Sequence, residues 1–258
     1  MLTAAELDAR AELVDELARW AIERIPTRPG RAEISTKTSD ADWVTETDLA
    51  VERHVREAVR ERFPEDRIVG EEYGATDADG ARATWYVDPV DGTTNYVHGL
   101  PLSSFSCAVV DDDGAAIGAV ADPYRRELLS AVRGRGARRN GEETRCVDTE
   151  TLTGGIFLTE LTMQSLWNGM TNLMGSLAQA GCVTRILGSN ALSLASVGAG
   201  RALATLIGEF GPVDCHAGTL IAQESGAAVR FEGESVLCAA PGVADAVVAL
   251  VREARNGG

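Results

Sequence analysis

Thr84-Trp85-Tyr86-Val87-Asp88-Pro89-Val90-Asp91-Gly92-Thr93-Thr94-Asn95 is the stretch on which the reading of this chain turns. TWYV fits a buried strand, and two carboxylates three residues apart follow it directly. Such residues emerge where strands give way to loops, the end of a sheet at which ligands bind. Pro89 restricts the backbone, and Gly92 lets the chain approach a ligand with no Cβ in the way. If Gly92 and Thr93 open a helix, their free N–H groups point at one spot suited to phosphate. The segment offers only hard oxygen donors, the kind magnesium takes. DxxDG is also a common surface turn, so the passage needs support from elsewhere in the chain.

Other carboxylates sit at the ends of neighbouring elements. Arg67 to Gly70 (RIVG) is a second strand candidate and runs into Glu71 and Glu72. Asp48 falls in the first turn of a helix beginning near Thr45, and Asp214 follows Gly-Pro-Val at the start of another. Singly, each is a helix cap or a solvated charge. Together they have the placement of a metal cluster, since crowded carboxylates repel one another unless cations neutralise them.

The pattern around these residues predicts a mixed α/β protein. Leu7, Ala11, Val14, Leu17, Ala21 and Ile25 repeat at helical spacing behind a Thr3/Glu6 capping box, and Pro26 with Pro29-Gly30 ends that helix. The second helix has its own capping box, Thr45 with Asp48, and runs through Val51, Val55 and Val59 to Pro64. Strand candidates SFSCAVV, AAIGAVA and ELLSAV follow, separated by the turns DDDG and DPYRR, which predicts a sheet at least partly antiparallel. A polar stretch, residues 138–153, marks a lobe boundary. Beyond it come strand GIFLT, a helix over 164–180, strand CVTRIL, a helix over 191–197 and strand ALATLI. A helix over 217–223, strands AAVRF and SVLCAA, and a helix after Pro241 complete the chain. The expectation is an α+β lobe over 1–145 with a largely antiparallel sheet and most of the candidate ligands. A layered α/β lobe over 146–258 would supply the last aspartate and the substrate contacts.

Of 258 residues, 39 are acidic and 24 basic, a formal charge of -15. That charge argues against nucleic acid and anionic membrane as partners, and an anionic substrate would need bound cations to reverse the local sign. Five cysteines without a CxxC pair indicate a reduced compartment rather than a disulfide framework or a zinc site. With no basic-then-apolar leader and no membrane-length apolar run, the expected address is the cytoplasm.

The blocks GEEYG (70–74), DPVDGTTNYVHG (88–99) and VDCHAG (213–218) resemble the inositol monophosphatase family. VTETD near the start, GRGARRNG and RILGSNALSLASVGAG extend the resemblance over nearly the whole chain. It implies an αβαβα sandwich, a lithium-sensitive phosphomonoesterase activity on a small phosphorylated polyol or sugar, two or three Mg2+ ions per subunit, and a homodimer. By the same resemblance Glu71, Asp88, Asp91, Asp214 and the Val90 carbonyl bind the ions, and Asp48 holds a further one with its waters. Thr93, with Asp48 or Glu71, orients the attacking water; the N–H groups of Gly92 and Thr93 meet the phosphate. Lys37 matches a lysine near the active site, although its own surroundings fit a plain exposed lysine. Gly188, Ser189 and Asn190, with Asp91 and Asp214, face the organic part of the substrate; Ser189 and Asn190 equally fit a helix N-cap. His98 and His216 are expected to pack or hydrogen-bond rather than shuttle protons.

Two departures bear on specificity. Val213 stands where the family usually has Trp, and a gap-free count puts Ile207 where inositol-specific members often carry Glu, with Glu209 two residues on. The alternatives are histidinol-phosphate, fructose-1,6-bisphosphate and 3'-phosphonucleotide phosphatases, and an interaction protein that retains the phosphatase fold.

Overall fold

The computed structural model describes residues 1–26, 34–36, 43–76, 78, 80–162 and 165–256. The chain begins with α1 (Ala4–Arg24), β1 (Ile34–Thr36), β2 (Trp43–Thr45), α2 (Glu46–Arg62), β3 (Arg67–Gly70), β4 (Gly74–Ala75), β5 (Thr84–Asp91) and α3 (Thr93–His98). The meander β6 (Ser104–Asp111), β7 (Gly114–Asp122) and β8 (Glu127–Val132) follows, then the hairpin β9 (Ala137–Arg139) and β10 (Glu142–Thr144). The remainder runs β11 (Ile156–Thr159), α4 (Met170–Gln179), β12 (Val183–Arg185), α5 (Asn190–Gly198), β13 (Ala204–Ile207), α6 (Pro212–Glu224), β14 (Ala228–Glu232), β15 (Ser235–Ala239) and α7 (Pro241–Asn256).

Local chemistry starts the first two helices. Thr3 and Glu6 form both halves of the capping box of α1, and Thr45 and Asp48 do the same for α2. One sheet has the strand order β10-β9-β8-β7-β6-β5-β3-β4, antiparallel except for the parallel pair β3 and β5. A second large sheet runs β12-β11-β13-β15-β14, with β11 parallel to both its neighbours, and β1 and β2 form a separate antiparallel pair.

Alternation along the strands sorts the chain into five layers. Trp85, Val87, Phe105, Cys107, Ile117 and Ala119 face α1 and α2, packing with Leu13, Leu17, Val51 and Val55. Their neighbours Ala108, Val120 and Leu129 face the other way, onto Ala191, Leu192, Ala217 and Ile221 of α5 and α6. These two helices also cover one face of the second sheet through Leu194, Val197 and Ala222. The far face of that sheet, with Phe157, Leu206 and Leu237, takes α4 and α7. The order is αβαβα. Small residues keep the middle layer close: a Cβ on Gly118 of β7 would stand 2.9 Å from the Cα and carbonyl oxygen of Ala217. Among the described residues no helix is long and apolar enough to cross a membrane.

Several elements differ from the sequence expectation. α4 starts at Met170, not near 164. Ahead of it Thr162 and Ser165 exchange backbone hydrogen bonds of 2.9 and 2.8 Å, and Trp167 packs into the second core. There the indole N–H donates to Thr159 Oγ1 at 3.0 Å. The polar stretch expected as a boundary contains β10, and Asn140-Gly141, with φ of 52° and 88°, turns the β9–β10 hairpin. α6 begins five residues before the expected Ala217, at Pro212. β5 does not stop at Val87 but continues through Asp91, with its register to β6 shifted between Asp88 and Asp91.

A buried cluster fixes α1 to the first sheet. Arg10 donates to both oxygens of Asp66 at 2.8 Å, and the Trp85 indole N–H donates to the same carboxylate at 2.8 Å. Removing Asp66 strands a buried guanidinium. Asp66→Ala is expected to lower unfolding free energy by about 3–5 kcal/mol, read as a fall in the urea midpoint at unchanged slope.

Candidate active site

Separate elements deliver their ends to one region. α2 contributes Asp48, the turn after β3 Glu71, and β5 Asp88, Val90 and Asp91, while α6 contributes Asp214 in its first turn. Asp48 and Asp88 are buried, as is Asp91, whereas Glu71 reaches solvent. Burial pushes the Asp88 carboxyl well above its usual range, and the charges of Glu71, Asp91 and Asp214 push it further. Asp91 is raised by burial and then by Asp214. Asp48 is raised by burial, with Glu71 adding to it and hydrogen bonds from Thr45 opposing. Glu71, the Asp88/Asp91 pair and Asp214, from three separate parts of the sequence, are therefore electrostatic neighbours.

Hydrogen bonds hold these groups in place. Asp48 Oδ2 accepts from the backbone N–H of Thr45 at 2.9 Å and from its hydroxyl. The Thr93 hydroxyl lies 3.2 Å from Asp48 Oδ1 and 2.9 Å from the Val90 carbonyl oxygen. Asp88 Oδ1 accepts the Val90 N–H at 2.9 Å. Asp91 Oδ2 accepts the Ser189 hydroxyl at 2.5 Å and the Ala191 N–H at 2.7 Å. Asn190 Nδ2 donates to Asp214 Oδ2 at 3.2 Å. Gly92 is the N-cap of α3 with φ of 89°, and a Cβ there would meet the carbonyl oxygens of Gly188 and Leu102 at 2.9 Å. Lys37 lies outside the described residues.

Ser189 is buried and is the N-cap of α5, accepting from Leu192 N–H at 3.2 Å. Asn190 and Gly188 line a cavity of about 280 Å³ together with Asp91, Asn95 and Glu160. A second cavity of about 200 Å³, bordered by Asn190, Ile207, Glu209 and Asp214, shares Leu161 and Asn190 with it. Ile207 is buried, whereas Glu209 is exposed at this rim. His216 packs between the rings of Tyr86 and Phe210, 5.0 Å from each, and burial lowers its pKa.

The donor set suits a hard cation. Its members are carboxylates, one carbonyl and a hydroxyl, and the carboxylates stand near enough to disfavour one another's charge. Among the described residues no three His, Cys, Asp or Glu side chains form a ready cage for a single ion. Magnesium does not require one, because it keeps several waters and is held by one or two carboxylates plus substrate phosphate.

The inositol monophosphatase family profile matches residues 6–253. This chain belongs to the inositol monophosphatase family. Among curated relatives of this inositol monophosphatase family member, the Nus factor SuhB of Pasteurella multocida is 34% identical over 225 residues, covering 86% of this chain and 84% of its own length. The Thermotoga maritima IMPase superposes with a TM-score of 0.85 at 30% identity, over 96% of this chain and 98% of that one. An IMPase/NADP phosphatase complexed with Mg2+ and phosphate shares the fold at a TM-score of 0.81, 21% identity and 95% coverage of both chains. The inositol monophosphatase family comprises hydrolases, so the assignment supports phosphatase activity.

Sequence reading passed over Glu160. Buried at the end of β11, it accepts the N–H groups of Leu187 and Gly188 at 3.0 and 2.7 Å and the Ser193 hydroxyl, and burial lifts its pKa to about 7. Its position directly after strand GIFLT was the available signal, the same one that marked Asp88. The conformation at Gly92 is open to test. Gly92→Ala is expected to cost more than about 1 kcal/mol, since alanine is strained at positive φ and its methyl meets two carbonyl oxygens. Thermal unfolding that matched the parent protein would show that the turn relaxes freely.

Proposed function

We propose that this chain is a Mg2+-dependent phosphomonoesterase that transfers the phosphoryl group of a small polyol or sugar phosphate to water. The observation that carries the reading is the crowding of buried carboxylates: burial raises both Asp88 and Asp91, the charges of Glu71, Asp91 and Asp214 raise Asp88 further, and Asp214 does so for Asp91. Such crowding disfavours the ionised state unless cations are present. When bound, magnesium would neutralise phosphate charge and lower the pKa of a nearby water. Glu71, Asp88, Asp91, Asp214 and the Val90 carbonyl would hold it, with Asp48 serving a further ion.

The residues around them divide the remaining work. The Thr93 hydroxyl, between Asp48 and the Val90 carbonyl, would fix an attacking water with Asp48 or Glu71. The N–H groups of Gly92 and Thr93 would receive the phosphate oxygens. Phosphoryl transfer asks for little beyond such alignment and charge neutralisation. Gly188, Ser189 and Asn190 would border the organic part, with the Ser189 hydroxyl also keeping Asp91 in position. Glu209, at the rim of the smaller cavity, would be the carboxylate that meets substrate hydroxyls there in place of Ile207.

A second reading follows from what the curated relatives are called. Nus factor SuhB is the printed name of the Pasteurella multocida protein, and an interaction role on the same fold is the alternative it raises. A stoichiometric protein partner recovered without magnesium, with no turnover of any phosphate ester, would favour it.

Rates on a panel of sugar, cyclitol, histidinol and nucleotide phosphates are expected to appear with magnesium and vanish with chelator. Absence of turnover across the panel would sink the phosphatase reading. Asp91→Asn should lower kcat by about two orders of magnitude or more, several kcal/mol of lost charge stabilisation. The fold should persist, because the amide oxygen still accepts from Ser189 and Ala191.

A further inference from the structure

A cavity of about 590 Å³, larger than the one beside Asp91, lies between α2 and the β3–β4 edge. Arg53, Arg56 and Arg60 line it from one face of α2, three and four residues apart. Glu57 and Asp66 border the same space, but Asp66 is already bound by Arg10. Arg56 is buried and matched by Glu52, its Nε donating to Glu52 Oε1 at 2.7 Å and its Nη2 to the Gly74 carbonyl. Arg53 and Arg60 are exposed, and among the described residues neither has a carboxylate within ion-pair distance. Arg53 donates instead to the Tyr73 hydroxyl at 3.2 Å. The Glu57 charge acts on Arg53 without an ion pair between them, and in a chain of charge -15 two guanidinium groups outside any ion pair among the described residues stand out beside one concavity.

The cavity is wired to the turn that carries Glu71. Glu52, buried on α2, accepts the N–H of Glu72 at 2.7 Å and that of Tyr73 at 3.1 Å while holding Arg56. An anion that draws on the Arg56 guanidinium competes with Glu52, and Glu52 is what anchors residues 72 and 73. Tyr73 adds a second link, because its hydroxyl is the acceptor for Arg53.

We propose that this cavity is a second anion site, taking the phosphate group of a small phosphorylated metabolite, and that its occupancy shifts the turn bearing Glu71. Guanidinium forks match phosphate oxygens in pairs, and the volume suits a small molecule. The consequence for catalysis rests on the metal role proposed for Glu71; the binding does not.

The test measures binding of inorganic pyrophosphate to the full chain by calorimetry in excess EDTA, where the carboxylate site without cations repels the probe. The parent protein is expected to bind, and Arg53→Ala/Arg60→Ala to weaken binding about tenfold or more, 1.4 kcal/mol. Arg62→Ala, on the same helix but paired with Glu16, should bind like the parent. Amide hydrogen exchange at Glu72 and Tyr73 should change on adding pyrophosphate to the parent and not to the double variant. No binding to the parent, undiminished binding to the double variant, or unaltered exchange at those two amides would each overturn the proposal. No turnover is read, so failure here leaves the phosphatase reading standing.

Discussion

The carboxylate of Asp91 accepts a hydroxyl and a backbone N–H from the first residues of α5, and through those two bonds the first sheet is tied to the middle helical layer. Bonds to an ionised acceptor are stronger than neutral ones, and here both partners are buried, so the strand end has little freedom. The same burial works against the charge on which the bonds depend, as does Asp214. The site is thus assembled around an unresolved electrostatic conflict. Ordered donors favour the carboxylate, and its surroundings disfavour it. A bound cation is the agent that would settle the conflict in favour of the ionised form.

Much of the architecture was legible because its causes are local. A capping box needs only a side chain and a backbone group three residues apart, and those at Thr3 and Thr45 formed as read. Strands β6, β7 and β8 were marked by apolar runs and turn residues that hardly depend on their surroundings. The start of α4 was not legible. Its position follows from Trp167 reaching a hydroxyl on β11, a contact with no trace in the helical pattern. The hairpin at Asn140-Gly141 did carry a signal, but it lay in a stretch whose polarity reads as a lobe boundary.

The candidate site divides in the same way. Asp48 and Asp214 fall in the first turns of helices and Glu71 directly after a strand, while Asp88 and Asp91 lie in the second half of β5, and the fold brings these positions into one region. Their roles came from resemblance, since no spacing rule says which oxygen meets an ion. The N-cap reading of Ser189 holds, and the same hydroxyl that accepts from the start of α5 donates to Asp91. Glu160 has the same strand-end signal but no second carboxylate or family block beside it to strengthen that signal. Its importance lies in the loop over 187–188 that it grips, which only the folded chain reveals.

The contact between Gly118 and Ala217 carries a consequence well beyond packing. Asp214 sits one turn earlier on the helix that contains Ala217, so the sheet acts as an end-stop for the rod bearing that carboxylate. A methyl group on the strand would work as a wedge, tilting the rod and swinging its tip. The placement of Asp214 is thereby set from behind, by the absence of a single carbon atom on β7.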